Sequence, residues 1–285
     1  MAEPAPRPAD YVMKVMAKAA AMNQQDPFLR GRLIELPGAG DLMITGDLHG
    51  NLSNFRRITS IADLPHHPHR HLILQEALHA MYRDTPDRSY QLIEEIAIFK
   101  TVYPAQVHVL LANHDLAELY GLQIMKQGRS VLRVFDAALE EAYQFNKDVV
   151  RKAYNGFLRS FPWAAATPTG LFVCHSLPDA KYVDLFSRQL FTDAGPDTDM
   201  GRGSPAFHLA WGRDLSGEVT AAFAQRVGAD LILTGHHPCR SGHTEPNPRL
   251  VILDSKDAHG AYAILPLDVK LSQIEVVSRI KFLNL

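Results

Sequence analysis

The chain has 285 residues, enough for one large domain or two small ones, and 46% of them are hydrophobic. A formal net charge of −2 advertises no basic surface, so neither duplex nucleic acid nor anionic membrane is an expected partner. Two cysteines, Cys174 and Cys239, make no disulfide framework, which leaves a reducing compartment and a cytoplasmic location as the simplest expectation.

The opening Met-Ala-Glu-Pro-Ala-Pro-Arg-Pro lacks the basic-then-apolar order of a secretory signal, and no apolar run is long enough to span a bilayer. Residues 1–9, rich in Pro and Ala, are expected to be a disordered tail. From Asp10 to about Gln24, Val12, Val15, Met16, Ala19 and Ala20 repeat at helical spacing. Leu42-Met43-Ile44 reads as a buried strand that runs into Gly46-Asp47-Leu48-His49-Gly50-Asn51. The glycines let the backbone turn sharply, and Asp47 and His49, two residues apart at the strand end, can point at one metal ion. Leu52, Phe55, Ile58 and Ile61 then mark a helix. Four histidines follow in Pro65-His66-His67-Pro68-His69-Arg70-His71, a compositional metal tract whose prolines argue for an extended loop instead.

His71-Leu72-Ile73-Leu74 is the second predicted strand, ended by Gln75-Glu76, and a polar loop from Tyr82 to Arg88 leads to a helix over Leu92, Ile93, Ile96 and Phe99. Val107 to Leu111 is the third strand and ends in Ala112-Asn113-His114-Asp115. A helical pattern runs from about Leu116 to Arg159, with Phe135, Leu139, Tyr143 and Phe145 among its apolar positions, until Pro162, Pro168 and Gly170 break it. Leu171-Phe172-Val173 ends in Cys174-His175-Ser176. A loop over 192–205 precedes Trp211-Gly212-Arg213-Asp214, and Leu231-Ile232-Leu233 ends in Thr234-Gly235-His236-His237-Pro238. Val251–Leu253, Ala261–Ile264 and Ile274–Val277 read as late strands. No repeat and no composition shift divides the chain, so one layered α/β domain over 10–285 with a helical insert at about 116–160 is expected.

The polar residues at successive strand ends are Asp47, His49, Glu76, Asn113, His114, His175 and His236. Sites in open α/β sheets form at the carboxyl ends of strands. Carboxylate, imidazole and amide oxygen together suit Mn²⁺, Fe or Zn²⁺ rather than a thiolate-type centre. A carboxylate between two clusters can bridge two metals about 3.5–4 Å apart, the arrangement that clamps the attacking and leaving oxygens of a phosphoryl transfer.

In order, Gly-Asp-Leu-His-Gly-Asn, Leu-Gln-Glu, Ala-Asn-His-Asp, Val-Cys-His-Ser and Thr-Gly-His-His resemble the calcineurin-like metallophosphoesterase superfamily, most closely its phosphoprotein phosphatase branch. The blocks run from about residue 42 to 254. The resemblance implies a four-layer α/β/β/α sandwich. It also implies that Asp47 and His49 bind a first metal, that Glu76 stands where a bridging aspartate is expected, and that Asn113, His175 and His236 bind a second. His114 would be the general acid, and the two divalent ions would make a hydroxide nucleophile from bridging water near neutral pH. The Pro238 that follows His237 removes the Gly-His-x-His form of other branches.

The second block departs from Gly-Asp-x-Val-Asp-Arg-Gly: here it reads Gln75-Glu76-Ala77-Leu78-His79-Ala80-Met81. His79 replaces the aspartate that would orient His114, and Ala80 replaces a phosphate-binding arginine. Asp84 or Asp87 is a candidate for the first role, and Arg83 or Arg88 for the second. Arg213 is a further phosphate clamp, since a guanidinium matches phosphate bidentately. A phosphorylated substrate is the expected partner, and the sequence fixes no oligomeric state. The leading expectation is a two-metal phosphomonoesterase. A dinucleoside-polyphosphate hydrolase and a catalytically weak metal-binding scaffold are the alternatives, the last motivated by the altered second block.

Overall fold

The computed structural model describes residues 5–80 and 87–284. In chain order the first elements are α1 (Ala9–Gln24), β1 (Leu29–Arg30), β2 (Leu33–Glu35), β3 (Asp41–Asp47), α2 (Leu52–Ala62), β4 (Arg70–Gln75), α3 (Ser89–Val102), β5 (Val107–Leu110) and α4 (Asn113–Tyr120). A short hairpin, β6 (Met125–Lys126) and β7 (Arg129–Ser130), leads to α5 (Val131–Tyr143) and α6 (Lys147–Arg159). Then come β8 (Ala164–Ala166), β9 (Leu171–Cys174), α7 (Arg188–Asp193), α8 (Pro205–Trp211), α9 (Gly217–Val227) and β10 (Leu231–Thr234). The chain closes with β11 (His243–Asn247), β12 (Leu250–Leu253), β13 (Ala261–Pro266), α10 (Gln273–Val277) and β14 (Ile280–Phe282).

Two sheets stack. One has the order β14-β13-β3-β4-β5, with β3, β4 and β5 parallel; the other has the order β1-β2-β8-β9-β10-β12-β11, with β9, β10 and β12 parallel. Side chains alternate across a strand, so each strand supplies two layers of core. Leu42 and Ile44 of β3, Leu171 and Val173 of β9, Leu231 and Leu233 of β10, and Val251 and Leu253 of β12 form one cluster between the sheets. Their neighbours Met43, Phe172, Ile232 and Ile252 face outward into a second cluster with Val12 and Met16 of α1, Phe55 and Ile58 of α2, Ile93 and Ile96 of α3, and Phe223 of α9. The architecture is the expected layered α/β sandwich with helices outside both sheets.

The sheets meet where β3 and β12 end. Asp47 bridges Asp254, the Ser255 N–H donates to the Asp47 carbonyl at 3.1 Å, and Ser255 Oγ accepts the Gly46 N–H at 2.9 Å. Gly46 permits this approach, because a Cβ there would lie 1.9 Å from the Leu253 carbonyl oxygen. Backbone on both sides is strand and cannot yield, so Gly46→Ala is expected to destabilise the fold at the upper end of about 1–3 kcal/mol, read as a lowered urea midpoint.

Several expectations are corrected. Ile274–Val277 is helical: its β-branched run is overridden by the Ser272–Glu275 capping box, in which Ser272 accepts the Glu275 N–H and Glu275 accepts the Ser272 N–H. The helical insert at about 116–160 is broken by Gly121 in the left-handed region, by the β6–β7 hairpin and by a 3₁₀ turn at Gln144–Asn146. Phe145 sits on that turn and is 95% exposed rather than apolar core. The loop over 192–205 begins only after α7. Of the tail expected over 1–9, residues 1–4 lie outside the described residues, whereas Arg7 ion-pairs with Glu94 at 2.9 Å and Glu95 at 2.6 Å, and α1 starts at Ala9. His66 of the histidine tract is exposed and faces Asp63, and among the described residues both candidate ligand clusters lie elsewhere.

At the other end of the five-stranded sheet, a buried polar knot ties α1 to α3 and β5. Lys100 Nζ reaches Asp26 Oδ2 at 3.0 Å and the Pro104 and Val107 carbonyls at 2.7 and 2.8 Å. His108 Nδ1 lies 3.1 Å from the same carboxylate oxygen. Burial pushes the Asp26 carboxyl up, but the imidazole of His108, the Lys100 ammonium and the Phe28 N–H outweigh it and hold it well below the usual range. Burial lowers both the His108 imidazole and the Lys100 ammonium, and the Asp26 carboxylate pulls each back up. Asp26→Ala leaves that ammonium buried and unpaired and is expected to cost about 3–5 kcal/mol in urea unfolding. The folded value lies below the unfolded one. The contribution is therefore complete above about pH 4 and is lost as the pH falls through the folded value. Asp26→Ala should flatten the acid limb of a stability–pH curve.

Candidate active site

The parallel strands deliver the site residues at their carboxyl ends. The β3–β4 register shifts between Ile44 and Asp47, which re-aims the end of β3. The Leu48 and His49 N–H groups donate to the Glu76 carbonyl at 3.1 and 2.9 Å, locking the first turn to the end of β4. Asn113 and His114 open α4, directly after β5. His175 follows β9, and His236 follows β10.

All six expected metal ligands converge and are buried. Glu76 lies at the centre: its Oε2 is 3.1 Å from His49 Nε2, and its Oε1 is 3.4 Å from His175 Nε2. On the His175 side, Asn113 Oδ1 lies 2.9 Å from His175 Nε2 and 3.0 Å from His236 Nδ1. Asp47 Oδ1 accepts the His236 N–H at 2.8 Å, and its Oδ2 is 3.8 Å from His49 Nε2. Two groups of possible ligand atoms result, His49–Glu76–His114 and Glu76–His175–His236, each within 4.8 Å, with Glu76 common to both.

The backbone is strained here. Of the seven non-glycine residues at positive φ among the described residues, four belong to the site: His49 (42°), Glu76 (44°), His79 (63°) and His236 (66°). Such conformations cost on the order of 1–3 kcal/mol each and persist where the surrounding structure over-determines them. Electrostatics carry the same mark. Burial, then the facing Glu76 carboxylate, raises the Asp47 carboxyl to about 7. Burial opposes protonation of His49, but Glu76 and Asp47 outweigh it and raise the imidazole to about 9. Burial, then the neighbouring His175 charge, pushes His236 well below its usual value.

The catalytic candidates are placed unequally. His114 is buried, with its ring 4.8 Å from that of His49, edge to face. Arg213 is exposed; its backbone N–H donates to Asp179 at 2.9 Å, and its charge contributes to lowering both His236 and His237. Arg83 and Asp84 lie outside the described residues. Asp87 does not orient His114: its Oδ1 accepts the Ser89 N–H at 2.9 Å at the start of α3. Cys174 and Cys239 are both buried, and burial raises both thiols, Cys239 to about 11, so neither is a nucleophile in waiting.

A probable serine/threonine-protein phosphatase of Encephalitozoon cuniculi is 23% identical over 254 residues, covering 83% of this chain and 50% of that protein. The chain thus spans about half the length of this curated relative. A solved protein serine/threonine phosphatase from Saccharomyces cerevisiae with similarity to human phosphatase PP5 superposes with a TM-score of 0.70 at 14% identity, over 90% of this chain and 82% of that one. The cold-active protein-tyrosine phosphatase of a psychrophilic Shewanella species gives 0.58 at 12% identity, over 82% and 77%. The fold is that of the metallophosphoesterases. The chain belongs to the calcineurin-like phosphoesterase family, whose match covers residues 41–240.

The family uses divalent metals, and the residues present fit them. Two buried carboxylates share one pocket with three imidazoles and an amide oxygen, a mixed hard and borderline donor set. His175 Nδ1 and His236 Nε2 are buried without a hydrogen-bond partner. Asn113 Oδ1, Glu76 Oε1 and the facing ring nitrogens are all atoms that can ligate a cation, and they lie 2.9–3.4 Å apart. Among the described residues, no helix is long and apolar enough to cross a membrane.

Two residues near His114 escaped the sequence reading. Glu118 lies one turn further along α4, and Arg151 comes from α6 and reaches Glu118 Oε1 at 3.0 Å. Only the i, i+4 spacing of His114 and Glu118 could have pointed to the first.

Proposed function

We propose that this chain is a dinuclear metal-dependent phosphomonoesterase whose substrates are phosphoproteins. The observation that carries the reading is Glu76: one carboxylate reaches two ligand clusters, at 3.1 Å and 3.4 Å, as a bridging residue must. Asp47, His49 and Glu76 would hold one divalent cation, and Glu76, Asn113, His175 and His236 the other. When bound, the cations would supply Lewis-acid charge stabilisation and an activated water. The protein's own groups do the rest. Glu76 fixes the spacing of the two clusters. The Asp47 carboxylate, anchored by the His236 N–H, ties β3 to β10. His114 holds a proton over the leaving oxygen, and Arg213, with Arg83 as its proposed companion, meets the phosphate at the mouth.

The test is parallel turnover of a phosphoserine peptide, an aryl phosphate and a diadenosine polyphosphate, each with Mn²⁺. Preference for the monoesters supports the reading. Preference for the dinucleotide replaces it with the polyphosphate hydrolase, and turnover of none leaves a metal-binding scaffold.

A further inference from the structure

The proposed reaction needs His114 held in one orientation and one tautomer, yet the position expected to supply an orienting carboxylate holds His79. The structure extends the chain of contacts one residue further. His79 Nδ1 lies 2.9 Å from His114 Nδ1. Its other nitrogen, Nε2, is buried without a hydrogen-bond partner, and it faces Glu118 Oε2 at 3.7 Å, within ion-pair range. The Glu118 side chain is itself 4% exposed. Arg151 Nε, from α6, lies 3.0 Å from the other carboxylate oxygen as an ion pair without a hydrogen bond, and Arg151 Nη1 donates to Asp136 Oδ1 at 2.7 Å. The His79 ring is edge-on to Phe135 at 5.3 Å, and its backbone N–H donates to Ser89 Oγ at 2.9 Å. His79 thus has one end on His114 and the other toward a carboxylate.

We propose that Glu118 is the positioning residue for His114, acting through His79. The inference rests on the proposed function. Two ring nitrogens 2.9 Å apart share one proton, so one must donate and the other accept. The Glu118 carboxylate, 3.7 Å from Nε2, favours the His79 tautomer that carries its proton on that nitrogen. His79 Nδ1 is then the acceptor and His114 Nδ1–H the donor. His114 Nε2 is then the nitrogen that, once the ring is protonated, gives its proton to the leaving oxygen, the outcome a directly bonded aspartate would give. Because His114 and Glu118 are one turn apart on α4, a single helix sets the span that His79 bridges.

Glu118→Gln tests this with little change of volume. Arg151 claims the amide oxygen, so the amide NH₂ is turned toward His79 Nε2, and both tautomers reverse. With a phosphoserine peptide, kcat should fall about 10- to 100-fold at unchanged KM, the scale at which residues that orient a reacting group act. His79→Asp supplies a carboxylate directly, and in that background Glu118→Gln should change kcat by less than about twofold. A second readout needs no activity: in ¹⁵N-histidine-labelled wild-type protein with Zn²⁺, ¹⁵N–¹H correlations should place protons on His79 Nε2 and His114 Nδ1, and both should move in Glu118→Gln. An unchanged kcat with unmoved tautomers overturns the proposal. So does an equal loss from Glu118→Gln with or without His79→Asp, which would make Glu118 merely structural. If the wild type cleaves no phosphate ester, the functional reading falls, while the wild-type ¹⁵N pattern still supports or overturns the pairing.

Discussion

Glu76→Ala is expected to abolish divalent-cation retention in both halves of the site and to take phosphate-ester hydrolysis to background. Among the described residues, no other side chain belongs to both ligand clusters. Its removal leaves His49 without the carboxylate 3.1 Å away and His175 without the one at 3.4 Å. It also removes the acceptor of the His114 N–H at 3.4 Å, so α4 loses an anchor at its first turn. Glu76→Asp should be milder. The shorter arm keeps the charge, but the strand end is pinned by the Leu48 and His49 N–H groups and cannot follow it fully. Elemental analysis of both variants beside the wild type checks the ordering. Cation content in Glu76→Ala equal to that of the wild type would remove Glu76 from the site.

His114→Ala should leave cation content intact and lower kcat by about 10²–10⁴-fold on a phosphoserine peptide, the usual worth of a positioned acid. The loss should shrink sharply on an aryl phosphate with a good leaving group, because a stable phenolate departs without a proton. That leaving-group dependence separates an acid from a ligand, and the separation matters here: a His114 nitrogen lies within 4.8 Å of the His49 and Glu76 ligand atoms. If His114→Ala instead lost cation and both activities together, His114 would be a ligand, not the acid.

Much of the site was legible in the sequence because its residues stand at the ends of apolar runs. Asp47 ends a strand and His49, Asn113, His114, His175 and His236 each follow one, and the parallel sheets then bring those ends together. Glu76 was legible by position despite its extra methylene. The short strands were not: Leu29–Arg30, Leu33–Glu35 and Ala164–Ala166 have two or three residues each, too few for a period, and three alanines carry no strand preference. The Ile274–Val277 error shows β-branching outvoted by a cap that was itself written in the sequence as Ser272-x-x-Glu275. Glu118 and Arg151 were illegible for a different reason. Their approach depends on how α4 and α6 pack together, whereas Asp84 and Asp87 stand close to His79 in sequence. Asp87 proves to be tied to the start of α3.

The most direct test of the central claim is elemental analysis and aryl phosphate turnover on one purified sample, before and after chelation and Mn²⁺ readdition. About two divalent cations per chain are expected, as a bridging carboxylate between two clusters requires, with turnover lost on chelation and restored with the cations. Turnover that survives complete removal of metal, or a chain that binds no divalent cation, would contradict that claim.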